Sequence, residues 1–180
     1  MLRKIYRYLY KVIVGKISPI RYARKIGVNF TTKVHIYGNV QWGTEPWIIT
    51  LGENVYITDG VKFITHDGGT LLFRHQIPDL EITKPISVGN NVYIGNDVIL
   101  LPGVNIGDNV IIGAGSVVTK NISSNTVVAG VPAKSIKSYD EYLTKIQSES
   151  IHLGILKGEE KDKALREYYH YSGNSKGIYF

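Results

Sequence analysis

Branched aliphatic residues recur every six positions through the middle of this 180-residue chain, and no other feature constrains its fold as tightly. Stepping by six from Ile82 gives Ile82, Val88, Ile94, Leu100, Ile106, Ile112 and Val118. Four residues after each runs a second series: Ile86, Val92, Val98, Val104, Val110, Ser116 and Ile122. Small or polar residues fill the intervals, as in Gly89-Asn90-Asn91, Gly95-Asn96-Asp97 and Gly107-Asp108-Asn109. The same register shows upstream in Leu51-Gly52-Glu53-Asn54-Val55 and Ile57-Thr58-Asp59-Gly60-Val61. A period of six fits neither a helix nor a simple strand. It fits a short strand plus a tight turn, because branched aliphatics suit strands and Gly, Asn and Asp tolerate the positive φ of turns. One such unit cannot bury its aliphatic residue alone, but stacked units share a continuous core. A sandwich of short strands would repeat at 8–12 residues instead. The expected fold is an all-β solenoid.

The rhythm breaks once. It leaves register after Phe63 and resumes at Ile82, so residues 65–81 read as an inserted loop that begins Thr65-His66-Asp67-Gly68-Gly69. Insertions of this kind mark the working face of a solenoid. Before the repeats, residues 2–16 place Leu2, Ile5, Tyr6, Leu9, Val12 and Ile13 at helical spacing among Arg3, Lys4, Arg7 and Lys11, the pattern of a basic amphipathic helix. After them, residues 139–147 and 159–171 read as short polar helices, with a loosely held end from Ser172. The expected organisation is a basic helical segment over 1–27, the solenoid over 28–137 and a helical tail over 138–180.

Net charge is +6, unevenly spread. Residues 1–44 hold nine Lys and Arg and no acid, whereas residues 45–180 hold twelve against fifteen. Basicity confined to one short element argues against a nucleic-acid surface and for a local partner. With Tyr6, Tyr8 and Tyr10 beside it, the stripe of residues 2–16 suits an anionic membrane surface or packing on the protein itself, and both remain open. The chain has no cysteine, which excludes disulfides, thiolate metal sites and a cysteine nucleophile. No apolar run approaches the ~18 residues of a membrane span, and no leader pattern is present, so the expected location is cytoplasmic, at the inner membrane face if the basic helix binds lipid.

The hexad register, the histidine-bearing insertion, the run Ile112-Gly113-Ala114-Gly115-Ser116-Val117-Val118-Thr119-Lys120 and the closing Val128-Ala129-Gly130-Val131-Pro132-Ala133-Lys134 resemble the hexapeptide-repeat acyltransferases. The likeness is to the maltose and galactoside O-acetyltransferases and the polysaccharide-biosynthesis acetyltransferases, and runs from about Val34 to Lys137. It implies a left-handed parallel β-helix, a homotrimer with active sites between neighbouring prisms, and direct transfer of acetyl from acetyl-CoA to a sugar hydroxyl in surface-polysaccharide assembly, without a metal.

Such a transfer needs a base for the attacking hydroxyl and stabilisation of the carbonyl oxygen. By the resemblance, His66 is that base, and His75 lies deeper in the loop. On the coenzyme side the resemblance implies Tyr93, where relatives often place Trp against the pantetheine arm. It also implies Asn96 and Ala114 near that arm, Thr119 and Lys120 near phosphate or adenine, and Lys134 and Lys137 where relatives often carry Arg. Lysine binds phosphate as a point charge without the bidentate fork. Candidate acceptor contacts are Asn39, Glu45, Asp67 and Arg74, with Asp67 alternatively orienting His66. Trp42 and Trp47 suit sugar stacking, the core or an interface. The alternatives are an N-acetyltransferase for a nucleotide-linked amino sugar and a xenobiotic acetyltransferase. A carbonic anhydrase on this fold needs three zinc-binding histidines, yet the next histidine after His75 is His152, outside the repeats.

Overall fold

A computed structural model describes residues 18–31 and 33–173. The basic segment 2–16 read as a helix lies outside the described residues. Of those described, the residues up to Asp140 form one compact unit and those from Glu141 a second.

The first unit is built from short strands: β1 (Asn29–Phe30), β2 (Val34–Ile36), β3 (Ile49–Leu51), β4 (Val55–Ile57), β5 (Lys62–Phe63), β6 (Ile86–Val88), β7 (Val92–Ile94), β8 (Ile99–Leu100), β9 (Asn105–Ile106), β10 (Val110–Ile112), β11 (Val117–Val118), β12 (Thr126–Ala129) and β13 (Lys134–Ser138). They form three sheets, β1-β3-β6-β9, β2-β4-β7-β10-β12-β13 and β5-β8-β11, parallel throughout except for the β12–β13 pair. Parallel partners lie one coil apart. Tyr93 pairs with Ile111 and Ile99 with Val117, a step of 18 residues, so three hexads make one coil.

Side chains alternate along each strand. In β7, Val92 and Ile94 point inward and Tyr93 outward. Both aliphatic series line the interior, from Val88 to Val118 and from Ile86 to Ile122. Ser116 is the polar member of the second series. Its hydroxyl donates to the Gly113 carbonyl at 2.6 Å and accepts the Gly130 N–H at 3.1 Å, so its burial leaves nothing unpaired. Ile82 departs from the expected register. It is 38% exposed, and its carbonyl accepts the Asp67 N–H. The coil resumes at Ile86, because residues 82–84 run antiparallel to residues 65–67 and close the loop on itself, with His66 bridged to Thr83. The insertion therefore extends past residue 81 to this neck.

Turn chemistry locks the coils together. Asn54, Asn91, Asn109 and Asn125 all adopt the left-handed conformation, with φ between 54° and 60°. Each of the first three donates its side-chain N–H to the amide oxygen of the next, at 2.9, 3.0 and 2.8 Å. Asparagine offers both the tolerated φ and the donor–acceptor pair that such a column needs. Gly95 is required for a different reason. A Cβ there would lie 2.6 Å from the Ala114 nitrogen, a backbone atom of the next coil that cannot yield alone. Gly95→Ala is expected to destabilise the fold by about 1–3 kcal/mol through overpacking, measured by denaturant unfolding. Wild-type stability would mean that neighbouring coils separate without cost.

Helix α1 (Pro19–Ile26) starts with proline in its first turn and ends on Gly27 in the left-handed conformation. It buries Ala23 in the core, with Ile20, Tyr22 and Ile26 packed alongside. Helix α2 (Tyr139–Glu149) starts in the first unit, and α3 (Gly158–Tyr168) lies in the second, where Arg166 donates to Asp162 at 2.6 Å.

Candidate active site

The 18-residue coil is lengthened in two places, both at the corner between the third sheet and the first, and the last coil is shortened to 16 residues, as in the pairing of Ile106 with Ile122. From Gln41 to Thr50 the chain takes nine residues instead of six, and from Lys62 to Ser87 it takes 25. Gln41 pairs with Lys62, so the two lengthened corners lie on adjacent coils, 21 residues apart. That spacing sets Thr44 before Thr65 and Glu45 before His66.

The side chains meet accordingly. His66 Nδ1 stands 3.2 Å from Glu45 Oε2 and 3.1 Å from Thr44 Oγ1. The Thr65 hydroxyl donates to Glu45 Oε2 at 2.6 Å, and the Thr44 hydroxyl donates to Oε1 at 2.5 Å. Thr65 is fully buried, whereas the His66 side chain is 41% exposed. The neck of the loop fixes the histidine backbone: the Asp67 N–H donates to the Ile82 carbonyl and the Lys84 N–H to that of Thr65, each at 2.9 Å.

The carboxyl of Glu45 is held below its ordinary pKa, chiefly by the Thr44 hydroxyl, then by that of Thr65. Partial burial opposes them, and His66 adds to the lowering. Glu45 is therefore an anion at neutral pH. A depressed carboxylate stabilises the fold above its ordinary titration range, and that contribution is lost as pH falls through the lowered value.

Glu45, expected among the acceptor contacts, thus lies against the histidine. Asp67, offered as an alternative orienter of His66, does not. Its carboxylate accepts the Gly69 N–H at 2.8 Å and caps the 3₁₀ turn Gly68–Phe73. The reason is alternation, since adjacent residues of an extended segment point to opposite sides. Arg74 donates to the Leu80 carbonyl at 3.0 Å and pairs with Glu81, which ties the loop together. Asn39 is exposed, with its N–H donating to Asp59 Oδ1 at 2.5 Å. His75 donates from Nδ1 to the Leu72 carbonyl at 2.9 Å. Trp42 is a core residue stacked on Phe63 at 4.9 Å, and Trp47 is exposed.

The residues expected on the coenzyme side occupy later coils. Tyr93 is exposed between Tyr56 and Ile111 on the outer face of its sheet. Asn96 and Ala114 are exposed on successive coils, joined by the Gly115 N–H donating to the Asn96 carbonyl at 2.7 Å. Thr119 and Lys120 follow β11, exposed. On β13, Lys134 is exposed and Lys137 half-buried. Sequence reading missed Thr44 and Thr65. The signal was the 21-residue step between the dipeptides Thr44-Glu45 and Thr65-His66, visible only once the length of the first coil is known.

A family model described as bacterial transferase hexapeptide (six repeats) matches residues 85–120. Protein CapG of Staphylococcus aureus is 49% identical over 120 residues, which cover 67% of this chain and 70% of CapG. Among solved structures, a maltose O-acetyltransferase from Clostridium difficile superposes with a TM-score of 0.52 at 30% identity, over 66% of this chain and 73% of that one. A galactoside acetyltransferase in complex with coenzyme A superposes with a TM-score of 0.51 at 33% identity, over 73% of this chain and 66% of that one.

Proposed function

Because this chain belongs to the hexapeptide-repeat transferases, we propose that it moves an acetyl group from acetyl-CoA to a sugar hydroxyl in surface-polysaccharide assembly, with His66 as general base. The observation that carries this reading is the half-exposed imidazole of His66, pinned at the neck of the insertion with its Nδ1 edge turned to Glu45. The opposite nitrogen, Nε2, takes the proton of the acceptor hydroxyl as the oxygen attacks the thioester carbonyl. The tetrahedral intermediate collapses, the carbon–sulfur bond breaks, and the imidazolium returns the proton to the departing thiolate. With no cysteine in the chain, no thioester acyl-enzyme forms, and direct transfer is the simplest course.

Tyr93, Asn96, Ala114, Thr119, Lys120, Lys134 and Lys137 make up the proposed coenzyme side, and the coil is taken as left-handed with the family. Asn39, Asp67, Arg74 and exposed Trp47 lie on or before the loop, as acceptor contacts would. Leu71, Leu72, Phe73 and Ile77 of the loop are each at least half exposed. Apolar surface of that kind calls for a covering partner, and a cyclic homotrimer supplies one from a second copy of the chain. Light scattering is expected to give three times the 20.1 kDa chain mass. A fully active 20.1 kDa species would end the trimer reading.

The function is tested by thiol release from acetyl-CoA across sugars, glycans, amino sugars and chloramphenicol-like drugs. Turnover with hydroxyl acceptors of the sugar class is expected. Preference for an amine would make the enzyme an N-acetyltransferase, and activity confined to the drugs would make it a xenobiotic one.

A further inference from the structure

We propose that Glu45, clamped by Thr44 and Thr65, is a positioning residue that holds the proton of neutral His66 on Nδ1 and leaves the lone pair on Nε2. The inference rests on the reading of His66 as the base and explains which of its nitrogens does the work. The hydrogens around the ring can be counted. The Thr44 hydroxyl spends its hydrogen on Glu45 Oε1, and the Thr65 hydroxyl spends its own on Oε2. Thr65 is sealed from solvent, so its hydroxyl has no water to turn to. The carboxylate has no hydrogen to give. Both oxygens within reach of Nδ1, at 3.1 and 3.2 Å, therefore offer only lone pairs. A lone pair on Nδ1 would face two others, so the proton sits there. Turning the Thr44 hydroxyl toward Nδ1 would surrender a charge-assisted bond at 2.5 Å for a neutral one.

The same carboxylate lies beside the imidazolium that forms when Nε2 takes the acceptor proton, and so favours that state. Other carboxylates near the neck are committed elsewhere. Asp67 accepts from Gly69, and Glu81 pairs with Arg74 and accepts from Thr83. The device is made by register: two Thr-containing dipeptides on adjacent coils, each supplying a hydroxyl and one partner of the Glu–His pair.

The test combines ring ¹⁵N NMR of the intact protein with Glu45→Gln and His66→Ala, singly and together. Gln keeps the size and one acceptor but removes the charge. In the wild type, Nδ1 is expected to give a pyrrole-type signal and Nε2 a pyridine-type signal. A proton found on Nε2 overturns the proposal without reference to any variant. Glu45→Gln is expected to lower kcat by about 10–100-fold, within the worth of the base itself, with little change in acceptor KM. In the His66→Ala background the same substitution should cost nothing further. Equal losses in both backgrounds would mean that Glu45 acts elsewhere, and the proposal fails. Should His66→Ala alone retain wild-type turnover, the base assignment falls, while the ¹⁵N spectrum still decides where the proton sits.

Discussion

His66→Ala lowers kcat by about 10²–10⁴-fold, the usual contribution of a positioned general base. Alanine removes the nitrogen that accepts the hydroxyl proton, and no other imidazole is held at the neck: the exposed His75 lies nine residues further along the loop. Coenzyme A affinity, measured by calorimetry, stays close to wild type, because the residues proposed to hold it stand on the coils from β7 onward. Thr44, Glu45 and Thr65 keep their mutual hydrogen bonds in the variant, so the fold should melt near the wild-type temperature. Wild-type turnover in a folded variant would take His66 out of the mechanism.

Ile94→Ala destabilises the protein by about 2–5 kcal/mol, the range for truncating a fully buried aliphatic. Ile94 has no exposed surface, and its strand β7 lies between β4 and β10 in the longest sheet. The coils on either side are held by parallel ladders and by the asparagine column, so they cannot collapse into the space left behind. Urea unfolding with an unchanged slope reads the loss directly. The neighbouring Tyr93→Ala, on the exposed side of the same strand, should cost far less. A loss below about 1 kcal/mol for Ile94→Ala would mean that the interior is not the continuous column these coils form.

The solenoid and its inward face were legible in the sequence because each hexad decides them locally. Backbone pleating sends one residue inward and the next outward, so Val92, Tyr93 and Ile94 could be sorted without knowing what lies above or below. Asparagine and glycine at fixed offsets marked the turns for the same reason: their φ tolerance belongs to single residues. His66 stood out because an interruption is visible against a regular period.

Tertiary structure decided the rest. Ile82 fits the period by type, yet it belongs to the loop neck, since antiparallel pairing to residues 65–67 outcompetes another hexad. The partner of His66 was out of reach of local reading. Asp67 is adjacent in sequence but points to the other side of an extended segment, whereas Glu45 is 21 residues away and lies one coil before it. Side-chain direction is set over one or two residues, whereas stacking depends on the number of residues per coil. In the first coil that number is changed by three extra residues at the corner that holds Thr44 and Glu45.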